Sequence, residues 1–219
     1  FLKRLNLLAK ATPIIQSSFK TKDASTVDYT ILTGHDIQLT QECDNQWISY
    51  NIDFFKFINE NVQDKDLDTV LKSIQMEDSH WNWFNKSIQL YSNAYKWFYF
   101  LCDNDIQATC VIYQPKQSIL SKKNIFYIEF IAVAPWNRKN AIRDKRYNGV
   151  GTLLIKSILE YAIETLKLTP GFSLHSLPQA TGYYEQLGMV HCSEEDKEPL
   201  KYFEISNDKS ALLLQGGML

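Results

Sequence analysis

Gly149 and Gly151 stand two residues apart in the stretch Arg146-Tyr147-Asn148-Gly149-Val150-Gly151-Thr152, between an apolar segment and an amphipathic one. Glycines that lead a strand into a helix let a phosphate reach backbone N–H groups with no intrahelical acceptor. The helix dipole adds partial positive charge at that end. A Cβ would hold the phosphate off, so anion binding is the chemistry this spacing allows. The approach is basic: Arg138, Lys139, Arg143, Lys145 and Arg146 are opposed only by Asp144. A Gly-x-Gly before a helix also occurs for packing alone, and a basic run is often a solvated loop. Their conjunction carries the phosphate reading. Two familiar nucleotide motifs fail. There is no GxxxxGK[ST], and position 154, where GxGxxG needs its third glycine, is Leu.

Glu129 is the one charge inside Asn124 to Val133 (NIFYIEFIAV). A carboxylate in an apolar strand costs several kcal/mol if buried and unpaired, so it should be solvated, paired or functional. Strand parity groups it with Tyr127, Ile131 and Val133. A base acting directly or through water is one reading, with burial raising its pKa toward neutrality. An ion-paired or edge-exposed glutamate is the other. His175 reads more readily as a hydrogen-bonded core residue than as a base, and His35, His80 and His191 show no partner in the sequence. There is no Ser-His-Asp ordering and no nucleophile elbow, so covalent hydrolase chemistry is not supported. Cys43, Cys102, Cys110 and Cys192 form no CxxC pair and no metal-ligand spacing. They read as buried thiols in a reducing compartment, with no metal expected.

These residues need rigid elements under them. The chain is 219 residues long, 45% apolar and 13% aromatic, which excludes a disordered or collagen-like protein and suits one large domain or two small ones. Only 8 residues are glycine, and none falls between Gly34 and Gly149. The formal charge of −2 argues against a globally basic nucleic-acid binder, so no nucleic-acid partner is expected. No run of 18 apolar residues occurs, so no membrane partner is expected and a cytoplasmic location follows. Leu2, Leu5, Leu8 and Ala9 repeat at helical spacing, predicting a helical extension over residues 1–26.

A strand is predicted at Val27 to Leu32. Helices follow on the spacings of Trp47, Ile48, Ile52, Phe55 and Ile58, then Leu67, Val70, Leu71 and Ile74, then Trp81, Phe84, Ile88 and Tyr91. Lys96 to Leu101 and Ile106 to Tyr113 read as a hairpin turning at Asp103-Asn104-Asp105 and ending at Pro115. Asn124 to Val133 reads as a strand buried on both faces. A helix is expected from about Val150 to Lys167, with Lys156, Glu160, Glu164 and Lys167 on its polar stripe. A strand over Phe172 to Ser176, a helix over Thr181 to Leu187 and a strand over Lys201 to Ile205 complete an α/β (α+β) domain with a mixed sheet.

The buried strand followed by Arg146-Tyr147-Asn148-Gly149-Val150-Gly151 resembles the GNAT N-acetyltransferase superfamily, whose signature is [QR]-x-x-G-x-[GA]. Ala180-Thr181-Gly182-Tyr183-Tyr184-Glu185-Gln186-Leu187-Gly188-Met189 looks like its A-x-x-x-Y-x-x-x-G-[FM] segment. The resemblance is to a bacterial-type member. It covers residues 95–205 well and 27–94 by layout only. It implies a mixed, splayed central sheet flanked by helices, forming one domain over 27–210. Residues 27–94 would form the acceptor side, 95–205 the cofactor-binding core, and 211–219 a tail.

The resemblance also implies acetyl-CoA as cosubstrate. Arg146, Tyr147, Asn148, Gly149, Val150, Gly151 and Thr152 would hold its pyrophosphate, and backbone groups of Ile131, Ala132 and Val133 its pantetheine arm. Tyr184 falls at the family's general-acid tyrosine, and the strand position of Glu129 is similar to that of the base in some members. The expected activity is a GNAT-type N-acetyltransferase (EC 2.3.1.-), moving an acetyl group directly to an amine of a small molecule or peptide. A non-catalytic acyl-CoA-binding regulatory module on the same fold stays open. So does a homodimer through the apolar stretch Ala211 to Leu214. The chain departs from the pattern in its long loop from Val133 to Arg146 and in Leu177, where many members carry Asn. Trp81, Trp83 and Phe84 either line an acceptor pocket or pack in the core.

Overall fold

The computed structural model describes residues 9–216. Eight strands and six helices follow one another along the chain: β1 (Thr12–Lys20), β2 (Thr26–Thr33), α1 (Ile37–Asn61), α2 (Asp64–Ser73), α3 (Trp83–Gln89), β3 (Tyr95–Cys102), β4 (Asp105–Gln117), β5 (Asn124–Val133), α4 (Val150–Glu164), β6 (Phe172–Ser176), α5 (Thr181–Gln186), β7 (Val190–His191), β8 (Lys201–Glu204) and α6 (Asn207–Leu214). One open sheet takes the order β1-β2-β3-β4-β5-β6-β8-β7. It is mixed: β5 pairs with β6 in parallel, whereas β1–β2, β6–β8 and β7–β8 are antiparallel. The chain divides into two compact units. One takes the residues up to Tyr91 with Tyr99–Thr109 and Ala132–Gly151; the other takes Ser92–Phe98, Cys110–Ile131 and Thr152 onward.

Residues 12–20 correct the expectation of a helical extension. They form β1, paired along β2 with Ile15 opposite Ile31 and Phe19 opposite Val27. The helical spacing of Leu2, Leu5 and Leu8 lies outside the described residues. β1 has an aromatic anchor, because the Phe19 ring meets Tyr29 at 5.9 Å and, edge-on, Tyr147 at 5.4 Å.

In the same unit, α1 starts at Asp36, whose carboxylate accepts from the Gln38 and Leu39 amides, a side-chain N-cap. Its buried side is Thr40, Cys43, Asp44, Trp47, Phe54 and Ile58. Ile48 and Ile52, read as inward from their spacing, are 52% and 51% exposed. Asp44 is buried for a local reason: its two oxygens accept from the Trp83 and Phe84 amides at 2.8 and 2.9 Å and so cap α3. Burial raises its carboxyl pKa, opposed by those two bonds. Trp83 is a core residue, edge-on to Trp47 at 6.0 Å, which answers the pocket-or-core question for that ring.

In the other unit, Leu154, Ile155, Ile158, Leu159 and Ala162 are the buried face of α4, while Glu160, Glu164 and Lys167 are exposed as the stripe predicts. Each of the larger aliphatic side chains contributes about 1.5–3 kcal/mol of apolar burial, enough to hold the helix firmly. Phe126 on β5 stacks on Phe172 of β6 at 5.4 Å. The connection from β4 to β5 is pinned by the buried Glu204, which accepts from Ser118 Oγ at 2.5 Å and from the Ile119 and Leu120 amides at 3.0 Å. β4 runs through Pro115 to Gln117, past the expected stop. Leu213 of α6 is fully buried, whereas Leu212 beside it is 41% exposed.

Candidate active site

β5 ends at Val133, and the chain returns at Gly149 to start α4. Gly149 has φ +72°, and a Cβ built there meets nothing within 4 Å. The left-handed backbone favours glycine, and the space above it is open. Gly151 has a different reason: its Cβ would lie 3.2 Å from Val133 Cγ1. One glycine shapes the turn, and the other lets the helix approach the end of β5. The amides of Val150, Gly151 and Thr152 are first-turn donors without intrahelical acceptors.

Not every amide of the expected cradle, residues 146–152, is available. The Arg146 amide donates to the Trp136 carbonyl at 2.9 Å and the Tyr147 amide to Asn137 Oδ1 at 3.0 Å, so both are spent inside the protein. The open donors begin at Asn148. Tyr147 is buried, its hydroxyl donating to Asp103. Burial pushes its phenol well above the usual range, helped by that bond.

The basic approach is also largely spent. Arg146 pairs with Asp105 at 2.5 Å and Asp103 at 3.6 Å. Arg138 forks onto Asp78, with Nη2 to Oδ2 at 2.9 Å, and donates through Nε to the Val133 carbonyl at 2.9 Å. Arg143 lies over the rings of Phe57 and Phe54, at 4.4 and 5.3 Å from their centroids. The expected open cationic patch is therefore a set of fasteners for the loop. Its aspartate partners are 40 to 60 residues away in sequence, which is why charge counting along the loop missed them.

On β5, Tyr127, Glu129, Ile131 and Val133 are all half-buried, while Ile128 and Ala132 on the opposite side are buried. The Tyr127 hydroxyl lies 2.7 Å from His175 Nδ1, and His175 Nε2 lies 2.8 Å from the Glu195 carbonyl. A carbonyl only accepts, so Nε2 carries the proton and Nδ1 receives the Tyr127 proton. Burial lowers the His175 pKa, with the Glu195 carbonyl bond opposing it. Burial, then the Glu129 charge, pushes the Tyr127 phenol up to about 12. Both shifts keep the pair neutral, so His175 is a fixed hydrogen-bond partner, as a core histidine would be.

Tyr184 is buried in α5, its ring 5.1 Å from Tyr183 and 6.3 Å from Phe203. Burial pushes its phenol far up, so it stays protonated through neutral pH. Tyr183 instead engages α4, its hydroxyl 2.9 Å from Thr152 Oγ1. All four cysteines are buried with free thiols.

No protein-family model matches the chain, and no curated protein matches it in sequence. Among solved structures, the GNAT domain of PAT from S. lividans aligns over 87% of this chain and 96% of its own, with a TM-score of 0.52 and 10% identity. The chain has the GNAT fold. An uncharacterized protein from Bacillus halodurans aligns over 94% of this chain and 100% of its own, with a TM-score of 0.52 and 8% identity.

Sequence reasoning passed over the residues that hold the turn of this GNAT fold in place. Gln107, fully buried in β4, donates to the Cys102 carbonyl at 3.0 Å. Its side-chain oxygen accepts from Trp136 Nε1 at 2.7 Å and Asn137 Nδ2 at 2.9 Å. Asn137 in turn receives the Tyr147 amide. A buried glutamine in an apolar strand was the available signal, since such a side chain must find partners for both ends. Among the described residues, no helix of the GNAT fold is long and apolar enough to cross a membrane.

Proposed function

We propose that the chain is an acetyl-CoA-dependent N-acyltransferase, transferring directly to an amine. The observation that carries this is the Gly149 turn: bare backbone at φ +72°, open space where a Cβ would stand, and first-turn amides of a rigid helix directly after it. Those features fit a pyrophosphate, and the GNAT fold supplies the context. The amides from Asn148 to Thr152 receive the phosphates. Ile131, Ala132 and Val133 offer backbone groups to the pantetheine arm, though the Val133 carbonyl already accepts from Arg138. Acetyl-CoA would supply the acyl thioester. Glu129 takes the proton that the ammonium must lose before nitrogen forms its bond to the acyl carbon. Tyr184, held protonated, gives its proton to sulfur as the carbon–sulfur bond breaks, and the second proton that nitrogen sheds on becoming an amide restores the phenol.

Thermal unfolding with added acetyl-CoA tests the cradle, because a ligand at 100 times its dissociation constant adds about 2.7 kcal/mol. A concentration-dependent rise in Tm is expected. No rise at about 1 mM, far above the dissociation constants such a site would need, overturns it. Thiol release across a panel of amines then tests transfer. Binding without release from any amine would identify a non-catalytic acyl-CoA-binding module.

A further inference from the structure

β1 is the first strand of the sheet, and among the described residues no strand pairs with its outer side. The phase of its ladder with β2 decides which backbone groups face out. The Thr21 amide donates to the Ser25 carbonyl at 3.0 Å, so that pair is hydrogen-bonded. Along an antiparallel ladder, hydrogen-bonded and non-hydrogen-bonded pairs alternate. Phe19 opposite Val27, Ser17 opposite Tyr29 and Ile15 opposite Ile31 are therefore hydrogen-bonded pairs that spend their groups on β2. Gln16 and Ser18 lie between them, so their N–H and C=O groups point away from the sheet.

The side chains repeat the pattern. Ile15, Ser17 and Phe19 share one side of the strand. Their partners Ile31 and Tyr29 are buried, yet Ile15 and Phe19 at the rim are only half-buried. The sequence is symmetric in kind about Ser17: polar Gln16 and Ser18 flank it, then apolar Ile15 and Phe19. No charged residue occurs from Thr12 to Phe19. Edge strands are commonly guarded by charges, bulges or proline. Here Pro13, with the register shift that follows it, and Lys20 guard the two ends and leave the middle open.

We propose that β1 pairs with β1 of a second copy of this chain, antiparallel, about a two-fold axis at Ser17. Gln16 of each copy then faces Ser18 of the other as a hydrogen-bonded pair, and each pair exchanges both of its backbone bonds. Ile15 of each copy meets Phe19 of the other, an aliphatic–aromatic pair that covers the rim of both cores. The contact is isologous, with the same strip used on both partners. Charge selects the orientation. The two copies of Lys20 fall at opposite ends of an antiparallel pair, whereas a parallel pair would set them side by side. One strand edge is a small contact, so the dimer is reversible.

Sedimentation of the full chain from about 1 μM to 1 mM should show a monomer–dimer equilibrium. Ser18→Pro removes an outward N–H and spares the bonds to β2, so it should weaken the dimer roughly tenfold or more while Tm stays near the parent. Ser17→Cys gives a second measurement. Across a non-hydrogen-bonded pair the Cα atoms lie about 4.5 Å apart, so a mild oxidant should link two copies through it. Gln16→Cys, offset from its counterpart by two residues, should link far more slowly. The parent, whose cysteines are all buried, should not link at all. A chain that stays monomeric up to about 1 mM overturns the proposal. So does a dimer that Ser18→Pro leaves intact or that Ser17→Cys fails to link, because such a dimer forms on another surface or in another register.

Discussion

Val133 stands against Gly151 so closely that a Cβ on the glycine would come within 3.2 Å of Val133 Cγ1. That contact joins the end of β5 to the start of α4, the two elements between which the glycine turn is strung. Gly151→Ala should therefore be better tolerated when Val133→Ala makes room. A double-mutant cycle by urea denaturation should give about 0.5–1.5 kcal/mol of coupling. Gly149→Ala should cost about 1–2 kcal/mol through its left-handed backbone, with no coupling to Val133. Equal coupling at both glycines would show that one cause serves for both.

Arg138 and Asp78 form a pair whose side chains are 12% and 13% exposed. Removing one partner of such a pair leaves a buried charge, so Asp78→Ala should destabilise by about 3–5 kcal/mol. Arg138→Lys should also destabilise, because lysine cannot fork onto Asp78 while reaching the Val133 carbonyl. Urea midpoints for the two variants decide it; an unchanged Lys variant would mean that only the charge matters.

His175 makes stability depend on pH. Its folded pKa lies below the ordinary value, so the unfolded chain binds more protons as the solution acidifies. Its contribution is complete above about pH 6.5 and is lost as pH falls through the folded pKa. Unfolding free energy should drop on going from about pH 7.5 to 5.5, and His175→Gln should flatten that part of the curve. Tyr127→Phe, which removes the donor to Nδ1, should raise the histidine pKa by NMR titration. A fall would reverse the tautomer assignment.

Tyr184→Phe removes the proton donor and keeps the ring against Tyr183 and Phe203. Thiol release at saturating amine should fall by about 10²-fold or more, with the acetyl-CoA thermal shift retained. The parent rate should show no loss from ionisation of this phenol at pH values where an ordinary tyrosine ionises, since burial holds it protonated. A variant as fast as the parent takes Tyr184 out of the reaction.

Strands with long apolar runs were legible in the sequence, although Asn124–Val133, expected to be buried on both faces, is only half-buried on the side of Glu129. Phe172–Ser176 and Asn124–Val133 were read with their observed bounds, because apolar runs and flanking prolines mark such strands directly. β1 escaped because TPIIQSSFK mixes polar and apolar residues on a half-exposed strand, where periodicity is weak. The two-residue β7 is too short to carry a pattern. In α1, Ile48 and Ile52 drew the inward face toward themselves, while Asp44, a polar residue, is buried to cap α3. The glycine turn was visible in sequence, but its surroundings were not. Asp78, Asp103, Asp105 and Gln107 reach the loop from distant positions, and only folding reveals that its arginines and two of its amides are already engaged.

The bonds from the Arg146 amide to Trp136 and from the Tyr147 amide to Asn137 close residues 137–146 at their base, like the knot of a lariat. What lies inside a lariat is insulated from what lies outside it. The ring can lengthen between Lys139 and Lys145 while the knot holds Gly149 where it is. Amide exchange at Tyr147 should therefore be slow even though it sits at the end of a long irregular segment, and slow exchange there would survive insertions in the ring.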